Sequence, residues 1–130
     1  TPNLHEGEIV FSVKTKNFAS GDIMAFYYNN RVLVKRVIGV PGDVIDIKEN
    51  GDVYVNNVLL AEPYLDKKSY GNTDLEYPYT VPQNSYFVLG DSRETSVDSR
   101  NSIIGCVDKE EIVGKILFRV WPLKQFGKVT

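Results

Sequence analysis

Val32-Leu33-Val34-Lys35-Arg36-Val37-Ile38-Gly39-Val40-Pro41-Gly42-Asp43 is the stretch on which the fold turns. Its β-branched content predicts a strand, and Pro41-Gly42 predicts the turn that closes it. Side chains alternate faces along a strand, so Lys35 shares a face with Leu33 and Val37. An ammonium set between two aliphatic side chains is poorly solvated, and desolvation favours the uncharged amine. An uncharged lysine can accept a proton, which makes Lys35 a candidate general base. The same pattern also fits a lysine whose stem lies on the strand while its ammonium reaches water.

Outward from that strand, short apolar runs alternate with turn signals. Upstream, Ile9, Phe11 and Val13 alternate as a half-buried strand, and Ser20-Gly21-Asp22 turns the chain into Ile23-Met24-Ala25-Phe26-Tyr27-Tyr28. Asn29-Asn30 suits a tight hairpin into the Lys35 strand, because asparagine tolerates left-handed backbone angles. These first three strands read as an antiparallel meander. Downstream, Val44 to Lys48 pairs with Asp52 to Val55 across Glu49-Asn50-Gly51, and Asn56-Asn57 turns into Val58-Leu59-Leu60. From Asp66 to Thr80 the chain is polar and aperiodic, with Tyr70, Tyr77 and Tyr79 scattered along what reads as a long surface loop. Tyr86-Phe87-Val88-Leu89 is a buried strand ending at Gly90-Asp91. Asp108 to Gly114 predicts one helical turn with Asp108 as N-cap and Gly114 as terminator, and residues 115–120 close the chain as an alternating strand. The class is mainly β.

Bulk properties set the outer limits. The chain has 130 residues, 42% hydrophobic and 25% charged, which fits one domain with a single core. A net charge of −2 lacks the basic footprint of a nucleic-acid binder. One cysteine, Cys106, excludes an internal disulfide, and one histidine, His5, leaves no metal-ligand spacing and no ordinary catalytic triad. No apolar run reaches the roughly 20 residues that span a bilayer. The abrupt start at Thr1-Pro2 suggests a fragment whose natural N-terminus lies upstream. Gly90 to Arg100 packs two arginines, three acids and four hydroxyls into eleven residues. That is either a solvated loop held by its own ion pairs, or a braced platform that sets a hydroxyl beside another catalytic group.

Four stretches together resemble a known family. Thr1-Pro2-Asn3-Leu4-His5-Glu6-Gly7-Glu8 resembles the tail of the nucleophile box of bacterial type I signal peptidases, serine-lysine proteases that remove signal peptides from exported proteins. Ser20 to Phe26 is similar to the next box, Val34 to Asp43 to the lysine box, and Gly90 to Arg100 to the last box. The boxes stand in the family's order and cover nearly the whole chain. The resemblance implies that Lys35 is the base and that Ser96 hydrogen-bonds and orients its amine. It implies that Arg36 pairs with Asp91 and Asp98 with Arg100, holding the boxes together. Substrate is expected to lie extended along the lysine strand by β-augmentation. Leu4, Val10, Ala25, Leu33 and Val34 match positions lining shallow pockets for small side chains, although each equally suits a core residue.

Three departures stand out: Asn3 where threonine is usual, Glu8 for aspartate and Ser92 for asparagine. The nucleophilic serine is expected two residues before Thr1, so residues 1–130 alone would lack it and be inactive. The expected fold is a catalytic core of antiparallel sheets in a barrel-like arrangement, residues 1–43 and 81–130. A short inserted lobe over residues 44–80, a hairpin and a tyrosine-bearing loop, resembles the Gram-positive members. The resemblance implies no cofactor and no metal, and as partners a signal peptide or preprotein segment and the membrane surface. It places the catalytic domain outside the cytoplasm on a single-pass membrane anchor upstream of Thr1, with an exposed apolar patch near the cleft. A second reading is a non-catalytic relative that assists surface pilus assembly, with pilin subunits as partners. A third, weaker resemblance is to self-cleaving repressor-type serine-lysine proteases, against which the absence of a DNA-binding segment counts.

Overall fold

The computed structural model describes residues 9–120, and side-chain surroundings over residues 12–117. In chain order the strands are β1 (Ile9–Val13), β2 (Ile23–Tyr28), β3 (Arg31–Gly39), β4 (Val44–Ile47), β5 (Val53–Val55), β6 (Val58–Leu59), β7 (Tyr79–Thr80), β8 (Ser85–Leu89), β9 (Val107–Asp108) and β10 (Ile112–Val120). They form a six-stranded sheet ordered β1-β10-β2-β3-β8-β9 and a four-stranded sheet ordered β6-β5-β4-β7. Every pairing is antiparallel. The larger sheet ends at β1 and β9, and no ladder joins those edges among the described residues, so it is open and not a closed barrel.

Turn chemistry explains the hairpins. Asn29 and Asn30 have φ of 54° and 65°, and Asn56 and Asn57 have φ of 52° and 68°. Paired left-handed residues give the turn a twist that matches its flanking strands, and asparagine adopts that region at low cost. The Pro41-Gly42 turn closes with the Asp43 N–H donating to the Val40 carbonyl at 2.9 Å. The Asp43 carboxylate accepts from the Val40 N–H and from the Asn56 side chain, which ties this turn to the one between β5 and β6.

Three expectations change. The opening strands are not a simple meander: β10 lies between β1 and β2. The two edges of β10 satisfy both neighbours, and Gly114 lets the chains approach, since a Cβ there would stand 2.7 Å from the Val13 carbonyl oxygen. Gly114 therefore sits inside a strand and does not end a helix. Asp108 does cap a turn, accepting from the Glu110 N–H, but that turn is a 3-10 element over Lys109–Glu111 and gives way to β10 at Ile112. The tyrosines of residues 66–80 are not stray surface groups either. Tyr70, Tyr77 and Tyr79 pack onto buried apolar residues, and Tyr79 belongs to β7, paired with β4.

The core lies on both faces of β8. Tyr86 and Val88 join Phe18, Met24, Phe26, Val37, Val107 and Ile112 on one side. Phe87 and Leu89 join Ile38, Ile45, Ile47, Val53 and Val81 on the other. All five residues of β8 are buried, which accounts for its unbroken apolar pattern. The second cluster takes side chains from both sheets, so burial of apolar surface seats the smaller sheet against β3 and β8 and holds the chain segments around Lys35 in place.

Candidate active site

On one edge β3 pairs with β2 over Arg31 to Arg36, which face Tyr28 to Ile23. Its other edge pairs with β8 only from Arg36 onward. Among the described residues no strand lies beside that edge over Arg31 to Lys35. Lys35 thus stands where the β8 ladder stops, next to Gly90, the first residue after β8. It is half-buried, on the same face as the fully buried Met24 and Val37. Its Nζ donates to Ser96 Oγ at 3.1 Å. Ser96 is 9% exposed, and its N–H donates to the Ser92 carbonyl, closing the turn that delivers the hydroxyl.

Gly90 makes this contact sterically feasible. A Cβ on it would lie 2.1 Å from Ser96 Oγ and 3.3 Å from Lys35 Nζ. Only a residue without a side chain lets the lysine and the serine meet across this point.

The polar loop after β8 is a buried platform. Arg93, Asp98, Ser99 and Arg100 are each no more than 1% exposed. Asp98 accepts from the Gly90 N–H at 2.9 Å and from Arg100 Nε and Nη2 at 2.9 Å each. Arg100 also donates to the Ser69 and Tyr70 carbonyls. The Ser99 hydroxyl bridges the Val88 N–H and the Gly105 carbonyl. Arg36 makes a two-pronged pair with Asp91, Nε to Oδ1 at 2.9 Å and Nη2 to Oδ2 at 2.7 Å, and donates to the Gly21 carbonyl. The hydrogen bond to Asp91 raises the Arg36 pKa above its ordinary value despite partial burial. Every buried side-chain nitrogen and oxygen among the described residues has a partner, so the network is fully satisfied, as a buried polar cluster must be.

Of the residues expected to line substrate pockets, Leu4 lies outside the described residues. Val10 is in β1, opposite Arg119, with its side chain undescribed. Ala25 and Val34 face each other across β2 and β3, Ala25 buried and Val34 47% exposed. Leu33 is on the opposite face of the sheet, half-buried against the first cluster. Tyr27, Val32 and Val97 are also exposed, so apolar surface flanks the lysine strand.

Three contributors had no assigned role in the sequence reading. Glu62 is buried and pairs with Arg93 at 2.6 Å, and Arg93 Nε donates to the Gly90 carbonyl at 2.8 Å. The Tyr64 hydroxyl donates to Glu62 at 3.0 Å, and its ring lies 3.7 Å under the Arg36 guanidinium. Burial, with the Glu62 charge next, pushes the Tyr64 hydroxyl pKa up to about 12. A pair 31 residues apart leaves no periodicity to read; a glycine directly after a buried strand was the one available sign of close approach.

The family model described as signal peptidase, peptidase S26, matches residues 1–121. Signal peptidase IB of Staphylococcus aureus strain N315 is 39% identical, over 96% of this chain and 74% of its own length. Signal peptidase I of Bacillus amyloliquefaciens is 38% identical, over 98% of this chain and 74% of its own length. The crystal structure of a signal peptidase I from Enterococcus faecalis V583 matches with a TM-score of 0.66 at 31% identity, covering 81% of this chain and 100% of that one. With the family model spanning all four boxes and relatives well above 30% identity, the chain belongs to the peptidase S26 family of signal peptidases.

Proposed function

We propose that this chain is the extracytoplasmic catalytic part of a membrane-anchored signal peptidase, with Lys35 as general base and Ser96 as the group that orients its amine. The attacking hydroxyl belongs to a serine two residues before Thr1. In this scheme the Lys35 amine takes the proton of that serine as it attacks the scissile carbonyl, then returns it to the leaving amine. Water hydrolyses the resulting acyl-enzyme by the same relay. Arg36, Asp91, Asp98 and Arg100 support the site, and residues 44–80 form the inserted lobe.

The observation that carries this reading is the 3.1 Å contact between Lys35 Nζ and Ser96 Oγ. It brings together the two candidate groups from positions 61 residues apart, at a junction braced by buried ion pairs. The edge of Arg31 to Lys35, unpaired among the described residues, suits an extended signal peptide, which gains main-chain hydrogen bonds by adding a strand. Val34, exposed on that strand, and Ala25 across from it offer a small apolar surface on one face for short side chains, Leu33 contributes on the Lys35 face, and Leu4 and Val10 are the further candidate lining residues. The exposed Tyr27, Val32 and Val97 fit contact with the membrane surface from which substrate arrives.

The test is cleavage of a preprotein by the full-length protein and its Lys35→Ala variant. Loss of a general base lowers the rate by about 10²–10⁴-fold, with the fold retained. A variant that processes preprotein at the normal rate removes Lys35 from the mechanism.

A further inference from the structure

We infer that Glu62, from the segment outside the four boxes, is a positioning residue for the Lys35–Ser96 pair, acting through Arg93 and the Gly90 carbonyl. The inference rests on the reading of Lys35 and Ser96 given above and extends it to a residue outside the boxes.

Glu62 is the hub of a buried relay. Its carboxylate accepts from both Arg93 terminal nitrogens, at 3.2 and 2.6 Å, and from the Tyr64 hydroxyl at 3.0 Å. Neither side chain of the Glu62–Arg93 pair is more than 1% exposed. With the guanidinium fork locked on Glu62, the remaining Arg93 Nε is aimed at the Gly90 carbonyl, 2.8 Å away. The Gly90 N–H is held from the other side by Asp98. Gly90 is therefore gripped at both its amide and its carbonyl, and it is the residue against which Ser96 Oγ and Lys35 Nζ rest. The Tyr64 ring extends the same hub to Arg36, the neighbour of Lys35, and Arg36 in turn holds Asp91, the neighbour of Gly90.

Energetics separate this role from simple stabilisation. A buried ion pair gains little net stability over an apolar pair of the same volume, because desolvating both charges offsets their attraction. What an apolar pair cannot do is present an N–H in one fixed direction. The planar guanidinium does that once two of its nitrogens are fixed by a carboxylate. The distance from Gly90 to the reacting groups is too short for tolerance, so a looser Gly90 becomes a looser Lys35–Ser96 contact.

The experiment measures kcat and KM on a signal-peptide substrate with the full-length enzyme, its Lys35→Ala variant, Glu62→Gln, and Glu62→Gln in a Ser96→Ala background, with thermal melts of each. Glu62→Gln keeps the shape and removes the charge. Loss of an outer partner of this kind typically costs about 10-fold or more, and here the loss is expected in kcat, with KM changed less than about twofold. In the Ser96→Ala background the same substitution should cost almost nothing, because the contact it aligns is already gone. An unchanged kcat, a loss confined to KM, or an equal loss in both backgrounds overturns the inference. If Glu62→Gln does not fold, the paired replacement Glu62→Met with Arg93→Met retains an apolar filling. It should fold with the same loss of kcat, and wild-type kcat in it overturns the inference equally. A Lys35→Ala variant as active as wild type instead removes the Lys35 reading, and this inference with it. An inactive Lys35→Ala beside a normal Glu62→Gln removes only the role of Glu62.

Discussion

Adding one methyl group at Gly90 should disable catalysis without unfolding the protein. The Cβ of Gly90→Ala would fall 2.1 Å from Ser96 Oγ and 2.7 Å from Ser96 Cβ, where 3.0 Å is the closest such approach that side chains tolerate. The serine must then retreat by roughly 1 Å, and a misplacement of that size costs about 10²-fold in rate. The retreat also carries Ser96 Oγ away from Lys35 Nζ, from 3.1 Å to beyond hydrogen-bond range. A 10²-fold loss corresponds to about 2.7 kcal/mol of transition-state stabilisation. Gly90 is buried, and overpacking such a site costs about 1–3 kcal/mol of stability, so the melting temperature should fall but a folded state should survive. The assay is steady-state cleavage of a signal-peptide substrate by the full-length enzyme, read as kcat and KM beside a melting curve. If kcat stays within threefold of wild type while the variant is folded, the Lys35–Ser96 contact is not what the reaction depends on.

Ser96→Ala removes the one side-chain hydrogen-bond partner that the Lys35 amine has among the described residues; kcat should fall about 10- to 100-fold, the loss expected for a hydrogen bond to a charged or reacting group, and an unchanged rate would take Ser96 out of the mechanism. Arg36→Ala breaks the Asp91 fork and the stacking on Tyr64. Since Asp91 is partly exposed and screened, the cost should be about 1–2 kcal/mol, seen as a melting temperature lower by about 3–8 °C; an unaltered melt would contradict the bracing. Burial pushes the Cys106 thiol up to about 11, although the Tyr79 hydroxyl partly offsets it. The thiolate is the reactive form, so a disulfide reagent at pH 8 should label native protein far more slowly than denatured protein. Labelling of the native protein should accelerate as pH rises toward 11, and rapid labelling at pH 8 would refute the burial.

Local information was enough for the strands and turns. Paired asparagines needing left-handed angles marked both tight hairpins, and unbroken apolar character marked β8, because those preferences reside in a few neighbouring residues. The four boxes likewise lay in contiguous sequence, so Lys35 and Ser96 were legible as candidates before any geometry. What the tertiary structure decided was who meets whom. The insertion of β10 between β1 and β2, the packing of Tyr70, Tyr77 and Tyr79 over a shared core, and the pairing of Glu62 with Arg93 all join segments far apart in the chain. No periodicity reports such contacts, since they are selected by mutual burial and by the need of each desolvated charge for a partner. The same holds for Gly90: its lack of a side chain matters only because folding brings a lysine and a serine to the place where that side chain would have been.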